Sequence, residues 1–157
     1  IGRLLGRERE AESLAAKIEA EFTALAGRVA AMAAHPRVVF LMSAGTGSPL
    51  AAGRDTAAER AIALAGGVNA IDAYAGYKPA SAEALAALAP DAIVMMRERV
   101  DETGGVAGVL KLPGIAQTPA GAAGHVILVD GQALLGFGPR TAERAADLQK
   151  QLAALAP

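Results

Sequence analysis

The sequence predicts an α/β fold, in which a long helix is followed by strands and helices alternating about a mainly parallel sheet. Three observations carry that expectation. An apolar stripe at helical spacing runs through the N-terminal segment. Four short apolar runs follow, at residues 37–42 (RVVFLM), 68–71 (VNAI), 92–96 (AIVMM) and 125–129 (HVILV). Helix-forming stretches with their own caps separate them, the alternation that crossover-connected parallel strands require.

Leu14, Ile18, Phe22, Leu25, Val29 and Met32 recur three or four residues apart, so they share one helix face, and charges fill the other. Over residues 7–34 this predicts a helix of about 40 Å. His35-Pro36 ends it, because the residue before proline avoids the α region. Residues 37–42 have the continuous apolar character of a strand buried on both faces. The stretch SAGTGSPLAAGRD reads as a loop. Thr56 and Glu59 form a capping box for a helix carrying Ile62 and Leu64, stopped by Gly66-Gly67. After a loop at Tyr77-Lys78-Pro79, Ser81 is the N-cap of a short helix with Leu85 and Leu88 inward, and Pro90 ends it. Residues 104–110 read as a helical turn. Thr141 is the expected cap of a final amphipathic helix through Leu148 and Leu152.

Composition narrows the function. At 157 residues the chain is long enough for one domain with a substantial core. Fifteen basic and 16 acidic residues leave a net charge of −1, which supplies no footprint for nucleic acid. With no cysteine, thiolate metal sites and cysteine nucleophiles are excluded. No apolar run approaches the ~20 residues of a membrane span, and the sequence opens on Ile1 rather than Met, with no leader-like segment, so it is expected to be a fragment.

The motifs offer little catalysis. Gly45-Thr46-Gly47 after a strand invites a dinucleotide site, but Leu50 stands where a third glycine belongs and Pro49 interrupts the helix that would receive the phosphate. Neither His35 nor His125 has a partner at metal-site spacing, and neither a Gly-x-Ser-x-Gly elbow nor a His-Glu-x-x-His pair occurs. Mixed charges along the first helix are a solvated face. No enzyme is predicted. Ligands of parallel sheets bind beyond the carboxyl ends of the strands, which places Met42, Ser43 and Gly45 on one rim with Met96 and Arg97. The methionines are either adaptable ligand surface or core; Arg97 is either a carboxylate-binding cation or a surface residue.

The segment from RVVFLM through AGGVNA, GYKP and SAEAL to PDAIVMM, followed by LPGIAQTPAG and LLGFGPRT, resembles the periplasmic haem-binding proteins of bacterial haem ABC importers. These belong to the helical-backbone class of binding proteins, alongside siderophore and cobalamin binders. The resemblance implies a long backbone helix (residues 1–35) followed by one three-layer α/β lobe with a mainly parallel central sheet (residues 36–157). The N-terminal lobe of such a protein, usual source of the tyrosine that ligates haem iron, is expected to lie outside this sequence. The resemblance further implies a periplasmic, non-catalytic carrier, with haem as transported ligand and an ABC permease as partner. By the same resemblance Tyr77 faces the cleft, Lys78 meets a propionate, and Glu83 docks the permease. Capping the sheet remains open for Tyr77, and a plain helix-start carboxylate for Glu83. A carrier of siderophore or cobalamin and a nucleotide-binding enzyme domain are the alternatives. The isolated lobe is expected to bind haem weakly and to self-associate through its exposed cleft face.

Overall fold

The computed structural model describes residues 2–44 and 47–155. Helix α1 (Glu8–Ala30) leads into strand β1 (Arg37–Ser43). Then come β2 (Leu50–Ala52), α2 (Ala57–Leu64), β3 (Val68–Asn69), β4 (Tyr77–Pro79), α3 (Ala82–Leu88) and β5 (Ala92–Met96). A 3-10 segment (Arg97–Thr103) precedes α4 (Gly105–Leu110), α5 (Pro119–Ala123), β6 (Val126–Val129), α6 (Gly131–Leu135) and α7 (Thr141–Ala153).

The sheet runs β4-β2-β1-β5-β6, with β3 also pairing β1. Pairings β1–β5, β5–β6 and β1–β3 are parallel, while β2 and β4 join antiparallel at one edge. Side chains alternate across β1 and β5, so each strand feeds two cores. Val38, Phe40, Ala92 and Val94 pack with Leu25 of α1, Ile62 of α2, Leu134 of α6 and Leu148 and Leu152 of α7. Val39, Leu41, Ile93 and Met95 pack with Leu85 of α3, Val109 of α4, Ala120 of α5 and Ile115 in the turn between α4 and α5. Helices on both faces of a sheet make the three-layer lobe, and this double burial explains why Val38–Leu41 of β1 and Ala92–Met95 of β5 are all apolar.

Four expectations need correction. Within SAGTGSPLAAGRD the chain turns back and pairs with β1 as β2, through an irregular register between Leu41 and Ser43. Tyr77-Lys78-Pro79 is not a loop but the edge strand β4, opposite Ala52, Ala51 and Leu50 respectively. Its proline is tolerated because an edge strand need not donate at every residue. Helix α1 ends at Ala30, four residues early. Thr141 does not cap α7: it is the first helical residue, buried, and its hydroxyl has no hydrogen-bond partner among the described residues.

The other caps form as expected. Thr56 Oγ1 accepts from the Glu59 amide at 3.1 Å and donates to the Gly53 carbonyl at 2.9 Å. Glu59 returns the bond one residue early, accepting from the Asp55 amide at 2.7 Å. Ser81 accepts from the Ala84 amide at 3.2 Å.

Candidate functional site at the carboxyl rim of the sheet

Parallel pairing places Leu41 opposite Met95, so Met42 and Met96 end at one level on adjacent strands. Both are half-buried against the α2/α7 core, and Ser43 follows Met42 onto the same rim. Met96 also lies tight against Gly131, where any side chain would overlap its sulfur. Gly45 lies outside the described residues. The element that follows β1 is strand β2 rather than a helix, so the strand-to-helix context of a dinucleotide site is not met.

The arm formed by β2 and β4 carries the other candidates. Neighbouring residues of a strand point to opposite faces, and their partners fix which. Tyr77 lies opposite Ala52, on the α2/α7 side, and is 37% exposed. Lys78 lies opposite Ala51, on the other side, with its ammonium 5.2 Å from the centre of the Tyr74 ring. Tyr74 donates to the Ala51 carbonyl at 3.3 Å, and burial raises its phenol pKa. It fills the space beside Gly53, where a side chain would collide with it. Tyr74 thus braces the arm from beneath.

Arg97 is exposed and turns to the opposite edge of the sheet. It donates to the Leu128 carbonyl at 3.2 Å and borders a polar pocket of about 410 Å³ with Asp130, Arg144, Asp147 and Gln151. Strands β4 and β6 are the two outer strands, four spacings apart, or about 19 Å. Tyr77 and Arg97 therefore do not converge; Met42, Ser43 and Met96 lie between them.

Glu83, in the first turn of α3, is fully exposed. Its own backbone amide and the Ser81 hydroxyl hold its carboxyl below the ordinary glutamate value. Both histidines sit at the far end of the sheet, ahead of β1 and β6. The Nδ1 of His35 lies 2.8 Å from the Gly66 carbonyl, and that of His125 3.1 Å from the Asp91 carbonyl. A carbonyl only accepts, so Nδ1 carries the proton in each and the rings act as ties. Among the described residues no group of three His, Asp or Glu side chains could hold a metal ion, and no helix is long and apolar enough to cross a membrane.

Phe137 was missed in the sequence. It is 48% exposed with φ at 48°, in the loop that joins α6 to α7. Nothing in its identity signals this, since glycine and asparagine are the usual occupants of positive φ.

The same arrangement of strands and helices occurs in solved structures. The chain is similar to the periplasmic haem-binding protein BhuT, solved in complex with two haems, at 37% identity and a TM-score of 0.91 over 99% of this chain and 60% of that one. The haem-binding protein RhuT of Roseiflexus sp. RS-1 matches at 38% and 0.91, with the same coverage. A periplasmic haem-binding protein of Pseudomonas aeruginosa matches at 32% and 0.82, over 99% of this chain and 57% of that one. The chain thus spans about 60% of the length of these relatives. No curated protein sequence matches it. A family model for periplasmic binding proteins matches residues 1–133, and on that match, together with the shared architecture, the chain belongs to the periplasmic binding protein family.

Proposed function

We propose that this chain is the connecting helix (residues 1–35) and C-terminal lobe (residues 36–157) of a periplasmic haem carrier that delivers its cargo to an inner-membrane ABC importer. The observation that carries the reading is the match of 99% of the chain, at 37–38% identity, to two haem-binding proteins that are themselves longer. A first lobe, placed before α1, completes the clamp. This lobe's share of the ligand surface is the soft apolar rim of Met42, Ser43 and Met96, with Tyr77 to one side burying ring area against the porphyrin. Lys78 and Arg97 are the cations available to carboxylate edges, each now holding a local partner that a ligand must outcompete. Iron ligation falls to the other lobe.

Haem titration tests this. The intact two-lobed protein is expected to give a Soret shift at stoichiometric haem, and the 157-residue chain a weak complex lacking a defined axial-ligand spectrum. Absence of any Soret shift with the intact protein overturns the haem reading. Sedimentation of the isolated chain at high concentration checks whether its open face pairs with a second copy; a strict monomer counts against that pairing. Glu83 is proposed to meet a cationic permease surface, since an exposed carboxylate on a helix start accepts a guanidinium with little loss of freedom. Glu83→Ala is expected to leave haem affinity unchanged and lower transport under limiting haem. Normal transport by that variant overturns the docking role.

A further inference from the structure

We infer that the loop of residues 136–140 is a ligand-contacting element of the cleft, with Phe137 laid against the flat apolar face of the bound molecule; this rests on the haem reading above.

The position of the loop follows from chain direction. Helix α6 starts one residue beyond the carboxyl end of β6, with Asp130 as its N-cap accepting from the Ala133 amide at 2.9 Å. Its Leu134 and Leu135 join the same apolar cluster as Met42 and Met96. Helix α7 runs back: Gln149 and Ala153, near its C-terminus, line a groove with Met32, Ala33 and Ala34, which precede the start of β1. The N-terminus of α7 is therefore at the other end, beside the carboxyl rim. The loop joins the two helices there, on the face of the sheet that Tyr77 also occupies.

Phe137 itself is held rather than packed. Gly136 donates to the Gln132 carbonyl at 3.2 Å, and Thr141 to the Gly138 carbonyl at 3.0 Å, which anchors both ends of the loop. A side chain at Gly136 would come within 2.7 Å of the Gln132 carbonyl, so glycine is needed there by close approach. Yet Gly136 has an ordinary φ of −77°, and the left-handed conformation falls on Phe137. For a bulky residue that conformation is an outlier that only surrounding anchors sustain. Half-exposed, the ring returns little burial in this chain to offset it. Glycine neighbours at 136 and 138 leave the ring with no flanking side chain, so its face is open to a flat partner.

The test compares Phe137→Gly and Phe137→Leu with wild type in the intact protein, reading haem affinity and Soret position, and separately reads Tm of the 157-residue chain. Phe137→Gly is expected to weaken haem binding about tenfold, the loss typical of truncating a well-packed aromatic contact. The Soret position should stay unchanged and Tm should be unchanged or higher, because glycine relaxes the backbone. Phe137→Leu should fall between the two in affinity. Haem affinity within twofold of wild type for Phe137→Gly overturns this inference alone, and a lowered Tm shows the ring to be structural and overturns it as well. No haem binding by the wild-type intact protein overturns the carrier reading and this inference with it.

Discussion

The parallel ladder β1-β5-β6 and the antiparallel arm β2-β4 share one sheet but differ in what they are made of. On β1 and β5, Val38 to Leu41 and Ala92 to Met95 are all inaccessible to solvent, with helices on both faces. In the arm, β4 is exposed along its length and held by only three opposed residue pairs. Buried apolar area drives the ladder; backbone pairing and the bracing ring of Tyr74 hold the arm. The difference is one of constraint: the buried middle of the ladder has no room for a polar side chain, whereas the arm places Tyr77 and Lys78 on its two faces, where the proposed function gives them a part in recognition.

The contrast can be broken most forcefully in the ladder. Phe40→Ala removes the largest fully buried side chain and should cost about 3–5 kcal/mol, enough to unfold much of a marginally stable domain, as read by chemical denaturation of the isolated chain. A cost below 1 kcal/mol would place the stabilising core elsewhere. At the junction where the arm returns to α2, Thr56→Ala deletes both the cap on Glu59 and the bond to Gly53, with an expected loss of about 1–2 kcal/mol. No measurable change would mean the arm is held without that tie.

In the arm itself, Tyr77→Ala should change stability by no more than about 0.5 kcal/mol, as exposed positions do, while raising the haem Kd of the intact protein severalfold. A stability loss with unchanged haem affinity would make Tyr77 a sheet cap instead. Smallest is the effect of Glu83. Its carboxyl pKa lies lower in the folded chain, so its contribution is present above the ordinary glutamate range and lost as pH falls through the folded value. A Glu83→Gln chain should therefore lie slightly below wild type in Tm at neutral pH and meet it in acid. A gap that persists unchanged into strong acid would assign the difference to something other than ionisation.

How much was legible differs between these regions for physical reasons. Residues 37–42 and 92–96 were readable as strands because double burial forces the side chains of 38–41 and 92–95 to be apolar, a signal carried by the residues themselves. The caps at Thr56 and Ser81 were readable because they are local, satisfied within three residues. Strands β2 and β4 left no such trace: three residues each, rich in alanine or containing proline, they exist through pairing, β2 with nearby β1 and with β4 further along the chain, rather than through a pattern of their own. Thr141 misled because a hydroxyl before an amphipathic run has the form of a cap, whereas Arg140 takes that position and Thr141 is drawn inward. Among the candidate residues, Met42 and Met96 follow from strand ends, but the outward turn of Arg97 to Leu128 was not foreseeable from its place after β5.

By itself the sequence determined the long helix, the two central strands, their parallel direction through intervening helices, the near-zero net charge and the lack of cysteine, because these follow from composition and short-range periodicity. Tertiary structure alone decided that Tyr77 and Lys78 stand on opposite faces, that Arg97 lies at the far edge from them, and that the loop bearing Phe137 returns to the rim. Those outcomes depend on strand register and on how α6 and α7 pack across the sheet. Register and packing are set by contacts between residues far apart in the chain, and no local pattern encodes them.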